Sequence, residues 1–171
     1  ESYYYIRANY ADTLADVTER VINVAKGAAM MTGTTVEPIY LAGSSNVLSN
    51  EHLADLQFEV MREIGPIHFT DEEKAYAETI NKHFGDDNRR FLVNKLGVDR
   101  NLADQALIGE VFPGNDKGNV FPGSSDVGDM SWITPVSMLN TATWATCAAA
   151  HSWGAVATGK MSIGHKGMMY A

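Results

Sequence analysis

The chain is nearly devoid of cysteine: Cys147 is the single thiol in 171 residues, so no internal disulfide can form and a reducing compartment is implied. Its setting, Thr141-Ala-Thr-Trp-Ala-Thr-Cys147, reads as a small buried hydrophobe rather than a reactive group. Basic excess is missing as well. Thirteen Lys and Arg face 21 Asp and Glu, a formal net charge of -8, which leaves no cationic stripe to neutralise phosphates and excludes a nucleic-acid face. No apolar run approaches the ~20 residues of a membrane span, and no secretory leader pattern is visible, so the expectation is a soluble, cytoplasmic protein. No GK[ST] follows the Gly-rich stretches, which excludes a phosphate loop. None of the five histidines stands four residues from another, which excludes the helical two-histidine metal motif.

What is present is a globular composition, 45% hydrophobic and 20% charged, in a chain long enough for one domain or two small ones. Ser2-Tyr-Tyr-Tyr-Ile-Arg7 is aromatic and β-branched and predicts a strand. Asp12 or Thr13 is a plausible N-cap for a helix whose apolar face runs through Leu14, Val17, Val21, Val24 or Ala25, Ala28 and Met31 and ends at Gly33. Thr34–Leu41 predicts a second strand, at an edge because of Pro38. Strand, helix and strand together form a βαβ-type unit.

Ala42-Gly-Ser-Ser-Asn46 then reads as a crossing. Asn50 caps a helix over 50–64 that stops at Gly65-Pro66, and Thr70-Asp-Glu-Glu73 is a capping box for a helix over 71–84. Two short helices broken by Gly97 are predicted between 86 and 110, and the repeated Phe-Pro-Gly signals make 111–123 a loop.

The most informative stretch is Gly123-Ser-Ser-Asp-Val-Gly-Asp-Met-Ser-Trp132, with His151-Ser-Trp153 following nineteen residues later. Small residues, two carboxylates and a histidine gather in loops on either side of a predicted strand at 141–147. In an α/β enzyme, ligands sit outside strand ends of this kind, which predicts His151 in a cleft beside the 124–132 segment, turned toward Asp126 or Asp129.

The segments Ser124–Trp132, Ala150–Trp153 and Gly159–Met168, together with Tyr5-Ile-Arg-Ala8 and Ala25–Thr32 closed by Thr34-Thr-Val-Glu37, resemble the C-terminal part of the M20 metallopeptidase/amidohydrolase family. Within it they look like the p-aminobenzoyl-glutamate hydrolase B-type branch. The resemblance implies an α/β fold: 1–44 would be the second half of a lid and dimerisation domain, a strand-helix-strand unit. It would be joined to the C-terminal part of the catalytic domain at 45–171, with a helical insertion at about 70–110. It implies cleavage of the amide bond of an N-acyl or N-aroyl amino acid by metal-activated water at a zinc or manganese two-metal site, in a homodimer formed through the lid.

Of that machinery the family pattern places one metal ligand here, His151. The upstream histidine, bridging aspartate and catalytic glutamates have no match, so no catalytic residue is assigned and the site would be empty in this piece. The chain opens on Glu1 within a predicted strand and ends on Ala171 within a predicted helix, which reads as part of an enzyme, inactive alone.

Ser125, Asp126 and Asp129 would face the substrate. Equally, the two aspartates could satisfy backbone N–H groups in an irregular loop. Arg7 would grip a substrate carboxylate or stand exposed at a strand end. His52 and His83 read as helix-surface residues, and Lys166 as solvated or paired locally. The alternative reading is a non-catalytic dimerisation or interaction module.

Overall fold

The computed structural model describes residues 1–113, 123 and 125–171. The part of the expected 111–123 loop beyond Pro113, Gly123 apart, lies outside them, as does Ser124. Eight helices occur among the described residues: α1 (Ala11–Thr32), α2 (Glu51–Ile64), α3 (Asp71–Asn81), α4 (Asp87–Leu96), α5 (Arg100–Ala103), α6 (Val127–Ser131), α7 (Trp153–Gly159) and α8 (Ser162–Tyr170). They fall into two compact units. The first holds residues 1–49 with those described between 123 and 136, and the second holds 50–113 with 137–171.

Local sequence sets the helix ends. Gly33 closes α1 in the left-handed conformation at φ 65° and donates its N–H back to the last turn. The opposite end starts at Tyr10 with no side-chain cap, so the expected cap at Asp12 or Thr13 is displaced into the first turn. Asn50 Oδ1 accepts from the Leu53 N–H at the start of α2. The capping box of α3 is complete: Glu73 N donates to Thr70 Oγ1, and Thr70 N donates to Glu73 Oε2 at 2.7 Å.

The α/β expectation is overturned. No strand or sheet occurs among the described residues, so the strand-helix-strand lid and the strand at 141–147 are corrected to a helical structure with extended connections. The reason is that a strand is defined by its partner. Residues 2–7 and 34–41 have no ladder between them, and most of their side chains lie in solvent. Tyr5 is 90% exposed. Aromatic and β-branched composition measures fitness for a half-buried pleated surface and cannot by itself provide the neighbouring strand.

Segment 141–147 fails as a strand for a different reason: it is interior. Ala145, Thr146, Cys147 and Ala148 are buried, and buried backbone polar groups must be paired. Here side chains do much of that pairing. Asn81 Oδ1 accepts from Cys147 N at 2.8 Å, Asn88 Nδ2 donates to Thr146 O at 2.6 Å, and Thr158 Oγ1 donates to Thr143 O at 2.8 Å. Thr146 N adds a bond to Ala106 O at 3.0 Å. The segment is the spine of the second unit's core, where Ala145 and Ala148 pack with Phe69, Ala77, Ile80, Leu107 and Ile163.

The first unit is thin by comparison. Only Ala29 is buried along the 22 residues of α1, and Met30 and Met31 are over 80% exposed. Its best-packed point is α6. Gly128 lies against the Ser45–Asn46 backbone, where any Cβ would overlap the Ser45 carbonyl.

Candidate functional site

In the first unit, the Gly-rich stretch is a short helix that clamps an extended segment. Asp129 Oδ1 accepts from Ser45 N at 2.7 Å, Ser131 Oγ accepts from Leu48 N at 2.8 Å, and Trp132 Nε1 donates to Asn46 O at 2.9 Å. Ser131 Oγ donates in turn to Gly128 O. Three side chains within four positions thus hold residues 45–48, whose backbone lacks a ladder. The Ser45 backbone N–H holds the Asp129 carboxyl below its ordinary value.

Ser125 sits at the entry to α6. Its Oγ accepts from Val127 N at 3.2 Å, and its carbonyl accepts from Gly128 N at 3.1 Å. Asp126 follows it as the N-cap residue of α6, exposed, with Ser125 Oγ 3.5 Å from Oδ1. The structure therefore gathers Ser125, Asp126 and Asp129 at one helix. Arg7 stands on the exposed N-terminal stretch, with its guanidinium 5.8 Å from the centre of the Tyr5 ring.

His151 belongs to the second unit. It follows the buried spine directly, in the turn before α7, and its ring is exposed. Its backbone has φ 60°, and it is the one non-glycine residue with positive φ among those described. A left-handed conformation costs an ordinary L-residue about 1–2 kcal/mol and persists only where the surroundings over-determine it. Both flanks are held. Ala148 N donates to Ala145 O on one side, and on the other Ser152 Oγ donates to Ala149 O while Trp153 packs on Phe84 at 5.1 Å and His83 at 5.6 Å. An exposed imidazole thus stands on a backbone turn that is held on both sides.

Several structural residues escaped sequence reasoning. Glu73 is buried and accepts from Lys166 Nζ at 2.7 Å, while Lys166 also donates to His68 O at 2.9 Å. Lys166 is therefore not paired locally, since its partner is 93 positions away. The capping box made Glu73 visible; nothing in the sequence announced its distant cation. Asn81, Asn88 and Thr158 carried no motif signal at all.

The donor set does not fit a metal held by this chain alone. Among the described residues, no three His, Cys, Asp or Glu side chains gather as ligands would need to. Cys147 is buried, and that burial pushes its thiol above the ordinary value.

These features define a helical module with a clamped loop and a strained histidine. No family model matches the chain, and no solved structure matches it. Among curated proteins it is similar to the B-type subunit of p-aminobenzoyl-glutamate hydrolase from Escherichia coli (strain K12), with 31% identity over 180 aligned positions that cover the whole chain. The chain is a distant homologue of that hydrolase subunit and spans 37% of its length. Among the described residues, no helix is long and apolar enough to cross a membrane.

Proposed function

We propose that this chain is part of a cytoplasmic M20-type amidohydrolase that cleaves the amide bond of an N-acyl or N-aroyl amino acid, with p-aminobenzoyl-glutamate as the type substrate. The observation that carries the reading is similarity to a named hydrolase subunit along the entire chain, not at one motif. His151 is the group this chain offers toward a zinc or manganese site, as one ligand among others that the described residues do not provide. Support comes from its backbone: an exposed imidazole carried on a left-handed backbone suits a functional role better than a packing one. Neutral imidazole is a good ligand for either metal.

Asp126, Ser125 and Arg7 are offered as substrate contacts, since each presents a polar group at the surface or at a helix entry. Asp129 is offered in the same role through its second oxygen, because Oδ1 already accepts the Ser45 N–H.

The test exchanges the aligned third of the Escherichia coli protein for this chain and measures p-aminobenzoyl-glutamate hydrolysis. Retained turnover in a folded chimera is the expected result. A folded chimera that binds substrate but never turns it over counts against the reading.

A second reading is favoured by the first unit's surface. Tyr3, Tyr4, Tyr5, Met30, Met31 and Tyr40 are all exposed, more apolar area than an isolated soluble unit usually shows. Self-association through 1–44 covers it, as a homodimer of the hydrolase or as the module's sole activity.

A further inference from the structure

Half of the chain's six arginines line one cavity of the second unit, although the chain as a whole is acidic. The cavity measures about 490 Å³ and lies against α4 and α5, walled by Asp86, Arg89, Arg90, Val93, Asn94, Arg100, Ala103 and Asp104. Its charges divide into two groups. Arg89 is structural: it is largely buried, its Nε donates to Ala103 O at 3.1 Å and its Nη1 to Asp86 Oδ1 at 3.3 Å. Those bonds tie α4 to α5 and neutralise one carboxylate of the wall.

The second group is uncommitted or weakly held. Among the described residues Arg90 meets Asp87 alone, at 2.6 Å, in a pair whose side chains are 68% and 93% exposed. A pair so wet contributes little and is readily exchanged. Arg100 and Asp104 stand four positions apart at the two ends of α5. Neither side chain makes a hydrogen bond or ion pair among the described residues, even with the other.

We propose that this cavity binds a free α-amino acid, its carboxylate across Arg90 and Arg100 and its ammonium group on Asp104. Guanidinium forks match the planar carboxylate, and an aspartate matches a compact ammonium. Asn94 offers a donor and an acceptor at the wall, and Val93 gives the Cβ region an apolar surface. A simple anion fits less well, because Asp104 would oppose it and a chain of formal charge -8 repels anions at long range. A simple cation fails against three guanidiniums. A zwitterion carries both signs and no net charge, so it meets neither objection. The volume lies in the range of small-molecule sites. This inference uses none of the residues offered for amide cleavage and stands or falls apart from that reading.

The test is an NMR titration of the 171-residue chain with L-alanine, and with propionate and ethylamine as its two half-molecules. L-Alanine should shift the backbone amides of 86–104 saturably, with each half-molecule at least about tenfold weaker. Arg100→Ala and Asp104→Asn, whose side chains make no hydrogen bond or ion pair among the described residues, should each weaken L-alanine about tenfold while leaving the circular dichroism unchanged. Shifts that stay linear in L-alanine overturn the proposal. So does propionate or ethylamine binding as tightly as L-alanine, or both variants binding it as the parent does.

Discussion

Removing the cation from the Glu73–Lys166 pair should damage the fold more than removing the anion. The Glu73 side chain is 8% exposed and Lys166 is 34% exposed, so the two partners differ in what they can do alone. In Lys166→Met the glutamate stays buried and ionised, with the Thr70 N–H still donating to it at 2.7 Å, and His68 O loses its donor. A fully buried orphaned charge costs about 3–5 kcal/mol. Water at the lysine end screens this pair, so about 2–3 kcal/mol is the expected loss. In Glu73→Gln the amide oxygen still accepts from Thr70, and the lysine keeps His68 O and reaches water, so about 1 kcal/mol is expected.

Urea unfolding of the two single variants and the double variant at neutral pH reads both values and their coupling. The acid limb adds a second reading. Burial pushes the Glu73 carboxyl up, but hydrogen bonds from Lys166, Ser162 and the Thr70 backbone outweigh it, and the net shift is below the ordinary 4.5. A depressed carboxylate contributes stability that is complete above 4.5 and fades as the pH falls through its folded value. The gap between the parent and Glu73→Gln should therefore narrow below about pH 4.5. Glu73→Gln proving as costly as Lys166→Met, or a gap that widens in acid, refutes the reasoning.

Thr146→Val should leave the chain as stable or raise it by up to about 1 kcal/mol, because the buried Thr146 Oγ1 has no partner among the described residues and the methyl is isosteric; a loss above about 1 kcal/mol in thermal melting would show a hidden bond. His151→Gly should stabilise by about 0.5–1 kcal/mol, since glycine relieves the left-handed backbone at some entropic cost, whereas His151→Ala should change little; equal melting points for His151→Gly and His151→Ala would mean no strain is present. Sedimentation of the chain at high micromolar concentration should show self-association that is lost on charging Met30 and Met31, and a clean monomer removes the case for an interface at 1–44.

What was legible in the sequence was what local chemistry decides. Gly33, Asn50 and the Thr70–Glu73 box each act within one helical turn, and each sits where its pattern placed it. The strands were misread because their evidence is shared between composition and a partner. Tyr3-Tyr-Tyr5 fits a pleated surface that no described segment provides, and Thr141–Cys147 is apolar because it is buried rather than because it is laddered. Short helices rich in glycine, such as α6 and α8, give weak periodic signals and form through close backbone approach. Gly167 lies against the Ala142 carbonyl with no room for a Cβ. At the candidate site, His151 was legible as a type of residue in a type of loop. Its strain was not, since no residue pattern predicts a left-handed histidine. The α6 clamp on residues 45–48 was equally hidden, because its partners lie more than 80 positions apart.

The central claim, that His151 serves an amidohydrolase, is tested most directly by His151→Ala in the chimera that carries this chain within the Escherichia coli hydrolase. Turnover of p-aminobenzoyl-glutamate and bound zinc or manganese are measured on the same preparation. Turnover should fall at least about a hundredfold, with metal content reduced and the melting temperature nearly unchanged. Full metal content and full turnover in the substituted chimera would contradict the claim.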